Sequence, residues 1–144
     1  MAGKVDKLLN PPPPGPVKPS GEAVRLFALL QREGRLLDFL LEDIQGLPDD
    51  QVGAGVRDIH RQCQHTLKEH VVLEPVMLQK ESDNVEVPPG FDPSAIRLTG
   101  NVTGQPPFKG VLRHHGWRVK ELKIAKPPEG QDELVLQPAE VDIV

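Results

Sequence analysis

Apolar side chains in the first half of the chain recur with the spacing of α-helices. Between residues 23 and 44 they follow three- and four-residue steps and fall on one broad helical face. The phase continues through Gly34, which predicts either one helix kinked at that glycine or two nearly collinear helices. We expect Ser20 to be the N-cap and Gly46-Leu47-Pro48 to end this helical unit.

A second amphipathic pattern predicts a helix that begins at Asp49 or Asp50 and ends near His70. Charged and polar residues occupy the side opposite its apolar stripe. The stripe is narrow, which is typical of a helix that lies on the surface of a domain. It consists of Val52, Val56, Ile59, Cys63 and Leu67.

After His70 the apolar residues occur in short runs that are typical of β-strands. The first two runs, 71–78 and 84–87, are joined by the polar stretch 79–83 and predict a β-hairpin. The later runs predict strands at 95–102, 109–114, 117–124 and 133–136, with a further short strand at 139–143.

Helices followed by strands predict an α+β fold, with N-terminal helices followed by a mainly antiparallel sheet or a small β-barrel. His115-Gly116 is expected to form a two-residue turn between strands, because glycine readily adopts a positive φ. Residues 1–19 contain six prolines and predict a disordered proline-rich tail. Residues 20–144 are expected to form a single α+β domain, with a helical part at 20–70 and a β part at 71–144.

The composition indicates the kind of core and the compartment. Among 144 residues there are four phenylalanines, one tryptophan and no tyrosine, so the core is expected to be mainly aliphatic. Cys63 is the only cysteine, which fits a reducing compartment. No apolar run reaches the length of a membrane span, and no secretory leader opens the sequence. We therefore expect a cytoplasmic protein without a membrane segment.

Charge is distributed unevenly along the second half of the chain. Residues 97–126 carry seven basic side chains and one acidic one, whereas residues 127–144 carry five acidic side chains and no basic one. One interpretation is that an acidic C-terminal strand lies beside the basic strands and neutralises them. The other is that the basic face attracts an acidic partner.

His114, His115 and Trp117 form the most distinctive local cluster in the sequence. On a regular strand the two imidazoles would point to opposite faces, so they are not expected to act together on one substrate. A proton-transfer role would also require a nearby acid, for which Glu74 and Asp92 are available in sequence. We expect both histidines to have structural roles.

The sequence contains none of the common catalytic or cofactor motifs. The patterns G-x-S-x-G, G-x-x-x-x-G-K-[ST] and G-x-G-x-x-G are absent. His60, Cys63 and His70 are the candidate metal ligands, but Cys63 occupies the centre of an apolar stripe, where a free thiol packs as a small hydrophobe. We therefore expect no catalytic residue, no metal site and no cofactor.

Several sequence blocks carry a resemblance to a known family. They are V-G-A-G-V-R-D-I-H at 52–60, L-E-P-V at 73–76, and the G-F-D-P, L-T-G-N-V and P-P-F-K-G blocks within 90–117. Together they resemble the bacterial domain of unknown function DUF2760 over roughly residues 21–144. The resemblance implies no assigned activity, cofactor or catalytic residue. It does imply a role accessory to an Hsp70-type chaperone ATPase, because genes of the family lie beside those of such ATPases.

We therefore expect a cytoplasmic protein-interaction module whose partner is a protein, with an Hsp70-type ATPase as the candidate. One alternative is an enzyme of unrecognised type that uses the His114, His115 and Trp117 region. Another is weak nucleic-acid binding through the basic stripe 97–126, which is disfavoured because few aromatic residues are available for base stacking. The candidate binding face consists of Arg97, Asn101, Phe108, Lys109, Arg113, His114, His115, Trp117, Arg118 and Lys120.

Overall fold

A computed structural model describes residues 21–144 together with Pro13, and these residues form two units. The first unit contains the described residues up to Cys63 and the C-terminal segment 124–144, and the second contains residues 64–123. The predicted tail 1–19 lies outside the described residues, apart from Pro13. None of the described helices is both long enough and apolar enough to cross a membrane.

The first unit begins with two short helices, α1 (Glu22–Gly34) and α2 (Leu36–Leu41). The N-cap of α1 is Gly21, with φ 79°, rather than the predicted Ser20. Arg35 separates the helices because it adopts the left-handed conformation, with φ 53° and ψ 32°. The apolar spacing allowed either one helix kinked at Gly34 or two helices, and the chain forms two helices.

Helix α3 (Asp49–His70) matches the prediction at both ends. Its predicted apolar stripe is half-buried, whereas the charged side chains of the opposite face are exposed. The first part of α3, up to Cys63, belongs to the first unit and the remainder to the second. Thr66, in the second unit, is fully buried.

The second unit contains four strands that form two antiparallel pairs. Strand β1 (Val71–Pro75) pairs with β4 (Trp117–Leu122), and β2 (Asn84–Val87) pairs with β3 (Phe108–Val111). The α+β prediction is therefore confirmed, with antiparallel two-stranded sheets, and the described residues form no closed barrel.

Backbone hydrogen bonds extend both pairs toward each other. Val76 N–H donates to Gly116 O at 3.2 Å, and Met77 N–H donates to His115 O at 2.9 Å. Leu112 N–H likewise donates to Asp83 O at 2.9 Å. Residues 71–87 and 108–122 thus form one long antiparallel ribbon, interrupted where residues 78–81 oppose 113–114.

The ribbon corrects two features of the sequence interpretation. The hairpin between 71–78 and 84–87 is wrong, because both segments pair with the same later stretch of chain and so run in the same direction. The stretch 79–83 forms a turn, in which Asp83 N–H bonds to Lys80 O and Lys80 N–H bonds to Asp83 Oδ2, and the chain then continues along the same partner stretch. His115-Gly116 is not a turn between paired strands, because its carbonyls accept bonds from β1's extension, although Gly116 does have φ 70°.

Three predicted strands, 95–102, 133–136 and 139–143, are absent from the described residues. The first is preceded by a turn in which Ala95 N–H and Ile96 N–H both bond to Asp92 O. The second is replaced by a turn in which Leu134 N–H bonds to Asp132 Oδ1. In both places an aspartate initiates a turn, which competes with strand formation.

Candidate protein-binding surface

A groove of about 530 Å³ lies on the second unit between the ribbon and segment 95–102. The ribbon side supplies apolar residues that face one another across β2 and β3, where Val87 stands opposite Phe108 and Val85 opposite Gly110. The segment 95–102 supplies Ile96 and Leu98. The groove therefore has apolar side chains on both of its sides, among polar and basic residues.

Gly110 leaves open space within this wall. A Cβ atom placed on Gly110 would meet no atom within 4 Å, and the residue does not have a positive φ. A larger side chain therefore fits the backbone at this position. The sequence alone did not single out Gly110, since a glycine within a strand indicates only a weak strand or a close approach.

Most of the predicted binding face lies along this groove. Its lining includes seven of the ten candidate residues: Arg97, Asn101, Phe108, Lys109, Arg113, His114 and His115. The other three, Trp117, Arg118 and Lys120, lie on β4. The structure thus brings the first seven residues together around one cavity and places the remaining three on the adjoining strand pair.

Acids of the ribbon itself oppose its basic residues. Lys109 stands directly opposite Glu86, and Arg118 directly opposite Glu74. Opposite charges at such positions attract each other across the strands. The predicted pairing of the basic strands with an acidic C-terminal strand is wrong, because described residues 127–144 form no strand.

The two histidines lie together rather than on opposite faces. The centroids of the His114 and His115 rings are 4.7 Å apart with an interplanar angle of 23°, and His115 contacts Trp117 edge-on at 4.6 Å. The interruption of the ribbon explains the difference, because His114 lies outside the regular strands and does not follow their alternation.

Hydrogen bonds to Gly116 set the tautomers of both rings. Gly116 N–H donates to Nδ1 of His114 at 3.0 Å, which places the proton of a neutral His114 on Nε2. Nδ1 of His115 contacts Gly116 O at 2.6 Å and must donate, which leaves Nε2 of His115 with a free lone pair.

Glu81 completes a potential ligand set with these histidines, since one ligand atom from each residue lies within 4.8 Å of the others. In the tautomers described above, however, only Glu81 and His115 present a free lone pair. Catalytic zinc sites use three protein ligands. The arrangement therefore offers one ligand fewer than such a site needs.

For His60, Cys63 and His70, the sequence predicted that Cys63 packs in the apolar stripe rather than binding a metal. In the structure Cys63 Sγ lies 3.8 Å from Gly34 O.

An exposed apolar row crosses the β1–β4 pair. Leu73 stands opposite Val119, and Pro75 stands opposite Trp117, so these side chains share one face of the ribbon. Trp117 is 60% exposed and Val119 is 52% exposed. Sequence reasoning singled out only Trp117, but the alternation W-x-V in β4 is the signal that could have identified Val119.

Asp92 organises the turn that leads into the groove wall. Its Oδ1 accepts bonds from the backbone N–H of Ser94 at 2.9 Å and from the Ser94 hydroxyl at 2.7 Å. These bonds, with a smaller contribution from the positive charge of Arg118, lower the pKa of Asp92. The turn directs the chain into segment 95–102, on the far side of the groove from β3.

Comparison with known proteins identifies one family. The model of the domain of unknown function DUF2760 matches residues 19–142. The match covers nearly the whole chain, including both units and the groove. No curated protein and no solved structure matches the sequence.

Proposed function

This chain belongs to the DUF2760 family, and we propose that it is a protein-interaction module accessory to an Hsp70-type chaperone ATPase. The observation that carries the proposal is the imbalance between buried and exposed apolar side chains. Among the described residues only Ala28, Val71, Val87 and Leu112 are buried hydrophobics, whereas fifteen large hydrophobics are exposed. Where such side chains adjoin one another, as Leu73 and Val119 do across β1 and β4, exposed apolar surface typically marks a binding site for another protein.

The row formed by Leu73, Trp117 and Val119 is the part of this surface that we assign to the ATPase. Tryptophan anchors are enriched among the residues that dominate binding energy at protein interfaces. Arg118 and Lys120 alternate with these side chains along β4 and therefore point to the opposite face of the ribbon, so the row itself carries no charged side chain.

We place this activity in the bacterial cytoplasm. That compartment would hold the Hsp70-type partner, and its reducing conditions fit a chain with a single cysteine. Nucleic-acid binding receives less support, because two of the basic residues, Lys109 and Arg118, face acids of the opposite strand. The enzyme alternative would use Nε2 of His115 as a proton acceptor beside Glu81, and no further group of the cluster favours a particular reaction.

The test uses the purified chain and the Hsp70-type ATPase of the same bacterium. We expect saturable binding by calorimetry and a change in the steady-state rate of ATP hydrolysis. Trp117→Ala should weaken binding at least about tenfold, as is common for a central aromatic anchor.

Leu40→Ala is the matched control, because Leu40 is also 60% exposed but lies on α2 in the first unit. Its binding should equal that of the unmodified chain. Absence of binding to the ATPase would contradict the proposed partner. Equal binding by both variants would contradict the proposed surface.

A further inference from the structure

We propose that the groove between the ribbon and segment 95–102 binds residues 139–144 of a second copy of this chain, in an extended conformation. This inference concerns a different surface from the β1–β4 row and does not rest on the chaperone proposal. It arises from two features of the described residues that match each other in shape and charge: an uncovered strand-like segment, and an apolar groove with a basic rim.

The segment has the sequence A-E-V-D-I-V and alternates acidic and β-branched apolar residues. This is the pattern of a half-buried strand, yet Val141 is 75% exposed and Ile143 is 90% exposed. Just before it, Gln137 is held by Gln31, whose Nε2 donates to Gln137 Oε1 at 2.8 Å. The segment therefore begins two residues after an anchored residue and leaves its own apolar side chains uncovered.

The groove presents an unpaired strand edge. Leu112 directs both its N–H and its C=O toward the opposite strand, bonding to Asp83 and Ser82. Because these groups alternate along an antiparallel strand, those of Val111 and Lys109 point away from β2. In the described part of the chain β3 pairs only with β2, so this edge can accept an added strand.

The side chains around the groove are complementary to the segment. In an extended conformation Val141 and Ile143 lie on one face and can cover the apolar wall beside Gly110, where space is open. Glu140 and Asp142 lie on the other face. Two exposed basic residues, Arg97 and Arg113, rim the groove and offer the opposite charge.

Exchange of segments between two copies gives a closed dimer. Each copy supplies one segment and one groove, so the contact occurs twice under two-fold symmetry. Six extended residues span about 20 Å, at roughly 3.3 Å per residue. Main-chain bonds supply affinity in strand addition, and alternate side chains supply specificity.

The experiment measures self-association of the full chain by sedimentation velocity and light scattering. We expect a concentration-dependent dimer that weakens as salt is raised, because the acidic and basic side chains attract each other. Deletion of residues 139–144 should abolish it by removing the segment. Gly110→Leu should abolish it by filling the groove, whereas Gly46→Leu should not, since Gly46 also faces open space but lies in the first unit.

A mixture of the two defective chains gives the decisive result. The deletion variant retains the groove and the Gly110→Leu variant retains the segment, so the mixture should form a heterodimer although neither variant associates alone. A fluorescent peptide of residues 137–144 should also bind the deletion variant and not Gly110→Leu. A full chain that stays monomeric at all concentrations overturns the proposal. It does so even if the peptide binds, because peptide binding without dimerisation would mean that the groove takes the segment of its own chain. A mixture that fails to associate overturns it too.

Discussion

Gly34 at the end of α1 lies directly against Cys63 of α3. A Cβ atom on Gly34 would overlap the Cys63 sulfur and would lie 3.3 Å from the Cys63 backbone nitrogen. The thiol also approaches Gly34 O at 3.8 Å. Helices α1 and α3 therefore meet, within the first unit, at a point where only a hydrogen atom fits, which explains a glycine at the last position of α1.

The first prediction is that Gly34→Ala destabilises the first unit. We expect the free energy of unfolding in urea to fall by about 1 to 3 kcal/mol, the usual cost of overpacking a tight contact. In a Cys63→Ala background the same change should cost less, because the sulfur is gone. Gly55→Ala in α3 is the control, since it meets no atom within 4 Å and should be neutral or stabilising by up to about 1 kcal/mol. Equal effects at Gly34 and Gly55 would contradict the contact.

The second prediction concerns the thiol of Cys63, whose pKa is raised by burial. The folded state then favours the neutral thiol, so stability is intact below the ordinary thiol pKa of about 8.5 and declines as the pH rises above it. Urea unfolding between pH 7 and 10 should show a decline that is smaller in Cys63→Ala. A thiol reagent at pH 8 should react more slowly with the folded chain than with the unfolded chain, and equal rates would count against the packing of Cys63.

The limits of sequence reasoning are clearest in the ribbon. Alternation located β2 and β4 nearly to the residue, because apolar spacing reports local backbone geometry. Pairing was misassigned because the turn-like stretch 79–83 resembles a hairpin loop, whereas the partner of β1 lies more than 40 residues away along the chain. Nothing in a local pattern specifies which distant strand completes a ladder.

The binding face, too, could be predicted from the sequence only in part. Basic and aromatic residues between Arg97 and Trp117 could be recognised by type, and seven of the ten candidates do line one groove. The stacking of His114 on His115 could not be predicted, because it follows from the interruption of the ribbon opposite residues 78–81. Glu133 was predicted to begin a strand at 133–136, but no strand forms there and Glu133 binds an arginine of α1 instead.

The third prediction addresses that ion pair. Arg25 Nε donates to Glu133 Oε1 at 2.6 Å, and both side chains are largely buried, with 17% and 26% exposure. A double-mutant cycle with Arg25→Met and Glu133→Gln should give a coupling energy of about 1.5 to 3 kcal/mol, the range for hydrogen bonds to charged groups. The exposed pair Arg35–Asp38 is the control and should give about 0.5 kcal/mol or less. Similar coupling energies for both pairs would show that burial does not strengthen the Arg25–Glu133 interaction.

The fourth prediction concerns Asp92, whose pKa is lowered by the bonds from Ser94. The stabilisation it gives to the turn is present above the ordinary aspartate pKa of about 3.9 and is lost as the pH falls through the lowered value. Carboxyl NMR titration should therefore show a midpoint for Asp92 below that of a free aspartate. Ser94→Ala should move the midpoint upward, and an unchanged midpoint would mean that the Ser94 bonds do not persist in solution.

The last prediction concerns Gln31, which is only 4% exposed and joins three parts of the first unit. Its Oε1 accepts the N–H groups of Leu37 at 2.9 Å and Asp38 at 3.2 Å, and its Nε2 donates to Gln137. The side chain thus caps the N-terminus of α2 and anchors the C-terminal segment at the same time. Gln31→Met keeps the length of the side chain but leaves the two N–H groups without their acceptor, which should cost about 1 to 3 kcal/mol in urea unfolding. Gln137→Ala removes only the third bond and should cost about 1 kcal/mol. If both variants lose the same stability, the capping bonds contribute nothing and the anchor alone accounts for the burial of Gln31.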